Sequence, residues 1–60
     1  MNFEIFIFVY NDDSIATEKE WSDTYAEALQ IEKEYYKKGG DITVSITPLN
    51  EWAEKQMKNR

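Results

Sequence analysis

The segment Phe3–Tyr10 constrains the fold most, because it is the only run of this chain that is apolar on both sides. Its β-branched and aromatic residues favour a strand, and it is shorter than the ten or more residues that a buried helix needs. Side chains alternate along a strand, which gives one face with Phe3, Ile5, Ile7 and Val9 and another with Glu4, Phe6, Phe8 and Tyr10. We therefore expect a central strand, with both faces covered or with one face left for binding.

The length of 60 residues predicts one domain, residues 1–60, near the lower limit for a chain that folds without disulfides or metal. Hydrophobic residues make up 42% of the chain and aromatic residues 15%, which is too much for a disordered segment. The core of so short a chain is too small to bury all of its aromatic side chains, so a homodimer is expected. The side chains expected at its seam are Phe6, Phe8 and Trp52.

The chain contains no cysteine and no histidine. Their absence argues against a disulfide framework, thiol catalysis, Cys/His zinc sites and the usual general base at neutral pH. Residues 11–14 lack the ligand spacing of a calcium loop, and the serines lack a base that could activate them. We therefore predict no enzyme activity, no metal and no cofactor. The apolar run near the N-terminus is too short for a membrane span or a signal peptide, so a soluble cytoplasmic protein is expected.

Charge is unevenly distributed, with a net value of −5 for the whole chain. Residues 1–32 hold eight acids and one base, whereas residues 33–60 hold four acids and six bases. Such a field repels phosphate backbones and attracts basic surfaces, which predicts a protein partner and no direct binding of nucleic acid. The alternative is that the acids serve solubility alone.

The pattern after the first strand predicts a hairpin and then a helix. Residues 11–14 favour a turn, and residues 15–21 alternate loosely as a polar edge strand. Thr24 and Glu27 form a capping box at the start of the first helix, which Gly39 and Gly40 end.

Strict alternation over residues 41–47 predicts a third strand with Ile42, Val44 and Ile46 toward the core. Thr47 is then expected to cap a last amphipathic helix with Pro48 in its first turn. The order β-β-α-β-α and a right-handed crossover predict an α+β fold with a three-stranded antiparallel sheet ordered 2-1-3.

The first helix should cover the face that carries Ile42, Val44, Ile46 and Trp21. The other face should be covered by the last helix, through Leu49, Trp52 and Met57, or by another chain. An RNA-stacking role for Phe6, Phe8 and Tyr10 is disfavoured, because acids and hydroxyls rather than bases are expected beside them.

Residues 23–29, Asp-Thr-Tyr-Ala-Glu-Ala-Leu, resemble the start of the helix in HicB-like antitoxins, whose partial double-stranded-RNA-binding fold also runs hairpin, helix, strand. The resemblance implies a nucleic-acid-associated regulator as the alternative function.

A small acidic chain rich in Lys, Glu, Asn and Ile, without catalytic residues, is similar in type to the inhibitor proteins of bacteriophages. This similarity implies a protein that blocks a host enzyme or defence complex in the host cytoplasm through an acidic surface. The residues expected to meet a basic partner are Tyr10, Asp12, Asp13, Glu18 and Glu20.

Overall fold

A computed structural model describes residues 1–58 and contains three strands and two helices in the predicted order β-β-α-β-α. The elements are β1 (Phe3–Tyr10), β2 (Ile15–Ser22), α1 (Tyr25–Lys37), β3 (Ile42–Pro48) and α2 (Glu51–Lys58). Neither helix within these residues is long and apolar enough to cross a membrane.

The three strands form one sheet in the order β2-β1-β3, and β1 is antiparallel to both neighbours. The predicted α+β fold and strand order are confirmed. In this register Ile7 lies between Glu18 on β2 and Val44 on β3. The central place falls to β1 because it alone carries apolar side chains on both faces, whereas the polar β2 lies at an edge.

Both helices pack on the same face of the sheet, which we call the covered face. Phe3, Ile5 and Ile7 are fully buried there, together with Ala28 of α1 and Ala53 of α2. The two alanines have no bulk beyond Cβ, so the helix backbones can approach the strands closely. Each fully buried large side chain contributes roughly 1.5–3 kcal/mol, so these few residues supply much of the stability of a small domain.

The start of α1 agrees with the Thr24 half of the predicted capping box, whereas the Glu27 carboxylate contacts the Thr24 hydroxyl and not a backbone amide. The Thr24 hydroxyl accepts a hydrogen bond from the Glu27 amide at 3.2 Å and lies 3.3 Å from the Glu27 carboxylate. After α1, Gly39 and Gly40 have φ angles of 80° and 91°, which residues with a Cβ rarely adopt. The glycines therefore allow the chain to turn back toward β3.

The predicted start of the last helix is wrong. Pro48 is the final residue of β3, and α2 begins at Glu51 after a cap by Asn50, whose Oδ1 accepts from the Ala53 amide at 2.8 Å. The strand continues because Pro48 pairs with Phe3 and the Leu49 amide donates to the Asn2 carbonyl. At this edge position the nitrogen of Pro48 points away from β1, so its missing donor costs no ladder hydrogen bond.

The predicted position of Trp21 is also wrong. Trp21 pairs with Glu4 and so lies on the sheet face opposite to Ile5, with 46% of its surface exposed. The hairpin register decides this, since it turns the other side of β2 toward the helices. The side chains on that side are Ala16, Glu18, Glu20 and Ser22.

The last helix does not cover the second sheet face, contrary to the first of the two alternatives. The Trp52 ring lies 6.3 Å from that of Phe3, on the covered face, and Met57 also packs against the core there. Only Leu49 and Asn50 link β3 to α2, and both are hydrogen-bonded to Asn2. So short and anchored a link cannot carry the helix around the edge of the sheet.

Candidate functional site

The second face of the sheet, which we call the open face, carries no helix within residues 1–58. Its side chains are Ile15, Thr17, Lys19 and Trp21 from β2, Glu4, Phe6, Phe8 and Tyr10 from β1, and Thr43, Ser45 and Thr47 from β3. Phe6 and Phe8 stack at its centre with ring centroids 6.4 Å apart, and the Lys19 ammonium lies 5.3 Å from the Phe6 ring. Large apolar groups therefore face outward over much of this face.

The two edges of the sheet differ in what they offer a partner. On β3 the Tyr36 hydroxyl accepts a hydrogen bond from the Val44 amide at 3.1 Å, and Pro48 has no amide hydrogen. These two features close the β3 edge to a full ladder, since two of the four positions whose backbone points outward cannot donate to an added strand.

The outer edge of β2 has no such protection. The bonds from Tyr10 to Asp41 and from Asn11 to Ser14 set the alternation, so residues 15, 17, 19 and 21 direct their backbone groups away from β1. No hydrogen bond within residues 1–58 uses those outward amides. The eight-residue strand β2 is therefore open to pairing.

A groove of about 330 Å³ runs between β2 and α1, and we call it the acidic groove. It is lined by Glu20, Gln30, Ile31, Glu34, Tyr35 and Lys38. The Tyr35 hydroxyl donates a hydrogen bond to the Glu20 carboxylate, and the Lys38 ammonium lies 4.6 Å from the Tyr35 ring. Glu18 follows on the same side of β2, so three carboxylates face one lysine along this side of the molecule.

Tyr35 reports on this negative environment. The hydrogen bond to Glu20 raises the pKa of Tyr35 from 10.0 to about 12, and burial and the negative charges of Glu20 and Glu18 act in the same direction. The phenol therefore stays protonated at neutral pH, which is unsuited to a nucleophile or a base.

A pH titration should detect this contact. Because the folded-state pKa of Tyr35 lies above its unfolded value, its stabilising effect is complete below pH 10.0 and is lost as the pH rises toward about 12. In a phenolate absorbance titration of the folded protein, we expect Tyr35→Phe to remove the step near pH 12 and Glu20→Gln to move it lower. Tyr10→Phe, on the open face, should leave that step in place. A Tyr35 step at the ordinary value in the unmodified protein would contradict the contact.

The structure brings some of the predicted partner-binding residues together and separates others. Glu18 and Glu20 are neighbours on the helix side of β2, and Asp12 and Asp13 lie in the turn at one end of that strand. Tyr10 lies on the open face, so it cannot anchor a partner that sits in the acidic groove.

The predicted self-association residues are likewise divided. Phe6 and Phe8 stack on the open face, whereas Trp52 lies on the covered side beside Phe3. One flat seam cannot include all three.

Sequence reasoning missed Glu34 and the free edge of β2. The spacing of Glu34 three residues from Ile31 places both on neighbouring parts of the helix surface, but the sequence does not show that this surface faces β2. Within residues 1–58, no three acidic side chains are grouped closely enough to hold a metal ion.

Comparisons with known proteins do not extend this description. No family model matches the sequence, and no curated protein or solved structure matches it either.

Proposed function

We propose that this chain is a non-enzymatic protein-binding module that inhibits its partner by occupying a basic surface. One observation supports the proposal above the others: the free edge of β2 lies directly beside the acidic groove. A strand edge offers backbone hydrogen bonds, and a negatively charged groove beside it selects for positive side chains.

The binding mode that fits is the addition of an extended partner segment to β2. Main-chain hydrogen bonds to residues 15, 17, 19 and 21 would supply affinity, and alternate side chains of the segment would supply specificity. Lysine or arginine on the helix side would reach Glu18, Glu20 and Glu34, and apolar residues on the other side would lie near Ile15 and Trp21. The closed edge of β3 gives the same segment no comparable place.

Charge alone would bind such a segment weakly. Each exposed ion pair is worth only about 0.2–1 kcal/mol, so several pairs must act together with the strand hydrogen bonds. Asp12 and Asp13 extend the negative surface at the turn end of β2, where they would attract further basic residues and raise the rate of encounter.

The partner that fits this site has a basic, extended segment, which is typical of proteins that bind nucleic acid. The proposal is therefore an inhibitor of the type that bacteriophages direct against host enzymes and defence complexes. The absence of cysteine supports a cytoplasmic place of action. A nucleic-acid-associated regulator of the HicB-like kind is less well supported, because Lys19 is the only base that residues 1–58 place on the open face.

A peptide titration can test the binding mode. The probe is an extended peptide of alternating arginine and valine, added to the isotopically labelled protein at low salt. We expect the largest amide shifts at residues 15, 17, 19 and 21, and we expect Glu18→Lys combined with Glu34→Lys to weaken binding by about tenfold. Glu20 is left unchanged in this variant because Tyr35 depends on it.

The matched control makes the same charge change on α2, with Glu51→Lys and Glu54→Lys, and should bind the probe nearly as well as the unchanged protein. An alternating glutamate and valine peptide should not bind. Equal weakening by both double variants would mean that net charge alone attracts the probe. Retention of a single-stranded oligonucleotide at physiological salt would favour the regulator instead.

A further inference from the structure

The open face is a second surface, separate from the edge and groove proposed above. Strand spacing and rise give these three strands of seven or eight residues a face of roughly 26 by 14 Å. Its centre is the Phe6–Phe8 stack, and its ends carry Tyr10, Ile15 and Trp21, which are 39%, 60% and 46% exposed. A monomer seldom exposes so many large apolar groups on one side unless they bind something.

We propose that a second copy of this chain covers the open face, with the two sheets packed face to face. The two-fold axis would run across the strands and pass between Phe6 and Phe8. The resulting dimer has four layers, with helices outside and two sheets inside. This inference does not depend on the proposed function, because the outer backbone edge of β2 and the acidic groove lie outside the seam and only Ile15 and Trp21 belong to both surfaces.

The face is complementary to itself about this axis. Phe6 of one copy lies over Phe8 of the other, and Trp21 lies over the end that carries Ile15 and Tyr10. Aromatic side chains packed in this way stabilise the pair beyond the effect of the area that they bury.

The charges of the open face favour the same axis. Its two charged side chains are Glu4 and Lys19. The axis brings Lys19 over Thr17 of the second copy. It also brings the Glu4 carboxylate toward Tyr10 of the second copy, whose hydroxyl can donate a hydrogen bond. An axis parallel to the strands would instead place Glu4 of one copy over Glu4 of the other. Two like charges would then be opposed in a poorly hydrated seam.

Pairing of two copies through their β2 edges is much less favourable. Opposed residues in an antiparallel ladder share a sheet face. A two-fold ladder between two β2 strands is therefore always centred on one residue. Centring on Glu18 opposes two glutamates, and centring on Lys19 opposes two lysines and brings Glu18 against Glu20. Centring on Thr17 avoids like charges but pairs only residues 15–19 of the eight-residue strand. The open face therefore provides the better seam between copies.

The size of the face predicts a modest affinity. Its projected area is roughly 360 Å² per copy, or roughly 720 Å² for the pair, which is below the range of about 1,200–2,000 Å² for stable specific interfaces. We therefore expect a dimer that forms at micromolar concentration and dissociates on dilution.

Sedimentation equilibrium over a range of protein concentrations tests the dimer. We expect Phe8→Lys to weaken association by about a hundredfold or more, because it places a desolvated charge at the centre of the seam on both copies. Ala26→Lys, which adds the same charge at an exposed position of α1 and so away from the open face, should leave the dimer intact. Ser45→Lys, at an exposed residue beside Phe6 on the open face, is the second variant in case Phe8→Lys does not keep the circular dichroism spectrum of the unchanged protein.

Isotope-filtered nuclear Overhauser spectra of a mixture of labelled and unlabelled protein test the axis. Contacts between Phe6 of one copy and Phe8 of the other are expected, whereas contacts between Trp21 and Thr47 would show an axis parallel to the strands and overturn the proposed one. A monomer at high micromolar concentration would overturn the dimer itself. Binding of a single-stranded oligonucleotide to the open face at physiological salt would overturn it as well. Phe8→Lys should still bind the arginine-valine peptide, so failure of the dimer and failure of the peptide site can be told apart.

Discussion

Replacement of Ile7 by alanine is expected to bring the protein close to its limit of stability. Ile7 is fully buried at the centre of the sheet, between the strands that carry Glu18 and Val44. Ile→Ala changes in cores cost about 2–5 kcal/mol, through the lost transfer free energy and the cavity left behind. Small domains have total stabilities near the lower end of about 5–15 kcal/mol, so this change removes much of the free energy of unfolding.

Ile15→Ala is the matched control, since it is the same chemical change in the same sheet at a residue that is 60% exposed. It should alter the free energy of unfolding by no more than about 0.5 kcal/mol. Both variants should be unfolded with urea at a protein concentration low enough to keep the chain monomeric. Similar losses at the two positions would contradict the assignment of the covered face as the core.

Replacement of Ala28 by leucine is the second change with a large expected effect. Ala28 is fully buried where α1 meets the sheet, within the cluster of core side chains that includes Phe3, Ile5 and Ile7. Overpacking of this kind costs about 1–3 kcal/mol, because the helix must shift or the side chain must leave its preferred rotamer. In a domain of this size, each kcal/mol lowers the melting temperature by about 4–8 °C.

Ala26→Leu is the control on the same helix, at an exposed position. Leucine is nearly as good a helix former as alanine, so the melting temperature should stay almost unchanged. An equal fall for both variants would mean that leucine disturbs the helix itself, and no fall for Ala28→Leu would mean that α1 packs loosely on the sheet.

The parts of the fold that local sequence determines could be predicted. The doubly apolar pattern of Phe3–Tyr10 identified the central strand, and the capping box at Thr24 and Glu27 placed the start of α1. Crossover handedness then gave the strand order. In each case the signal lies within a few consecutive residues or follows from a general rule of chain geometry.

The orientation of β2 and the placement of α2 could not be predicted in the same way. Alternation shows which residues share a side of a strand, but it does not show which side faces the helices. Trp21, as the largest apolar residue of β2, was expected inside, and the hairpin register places it outside. The position of α2 depends on the hydrogen bonds of Leu49 and Asn50 to Asn2, which join residues almost fifty positions apart.

The candidate site was predicted in part for similar reasons. Glu18 and Glu20 are two residues apart on one strand, so their proximity follows from the alternation of side chains. Glu34 joins them only because α1 crosses the sheet beside β2, which is a matter of tertiary packing. The capped amide of Val44 leaves no trace in the sequence either, since a tyrosine at a helix end has many other uses.

The hydrogen bond between Tyr36 and Val44 has a consequence for assembly beyond one molecule. Fibres grow when a molecule has two complementary surfaces, because each added molecule then exposes the same surface to which it has just been added. Here the β2 edge of one molecule would need the β3 edge of the next, and that edge is blocked at Val44 and at Pro48. Pairing at the β2 edge therefore does not continue from molecule to molecule. The protein can leave one sheet edge available for binding without forming a fibre.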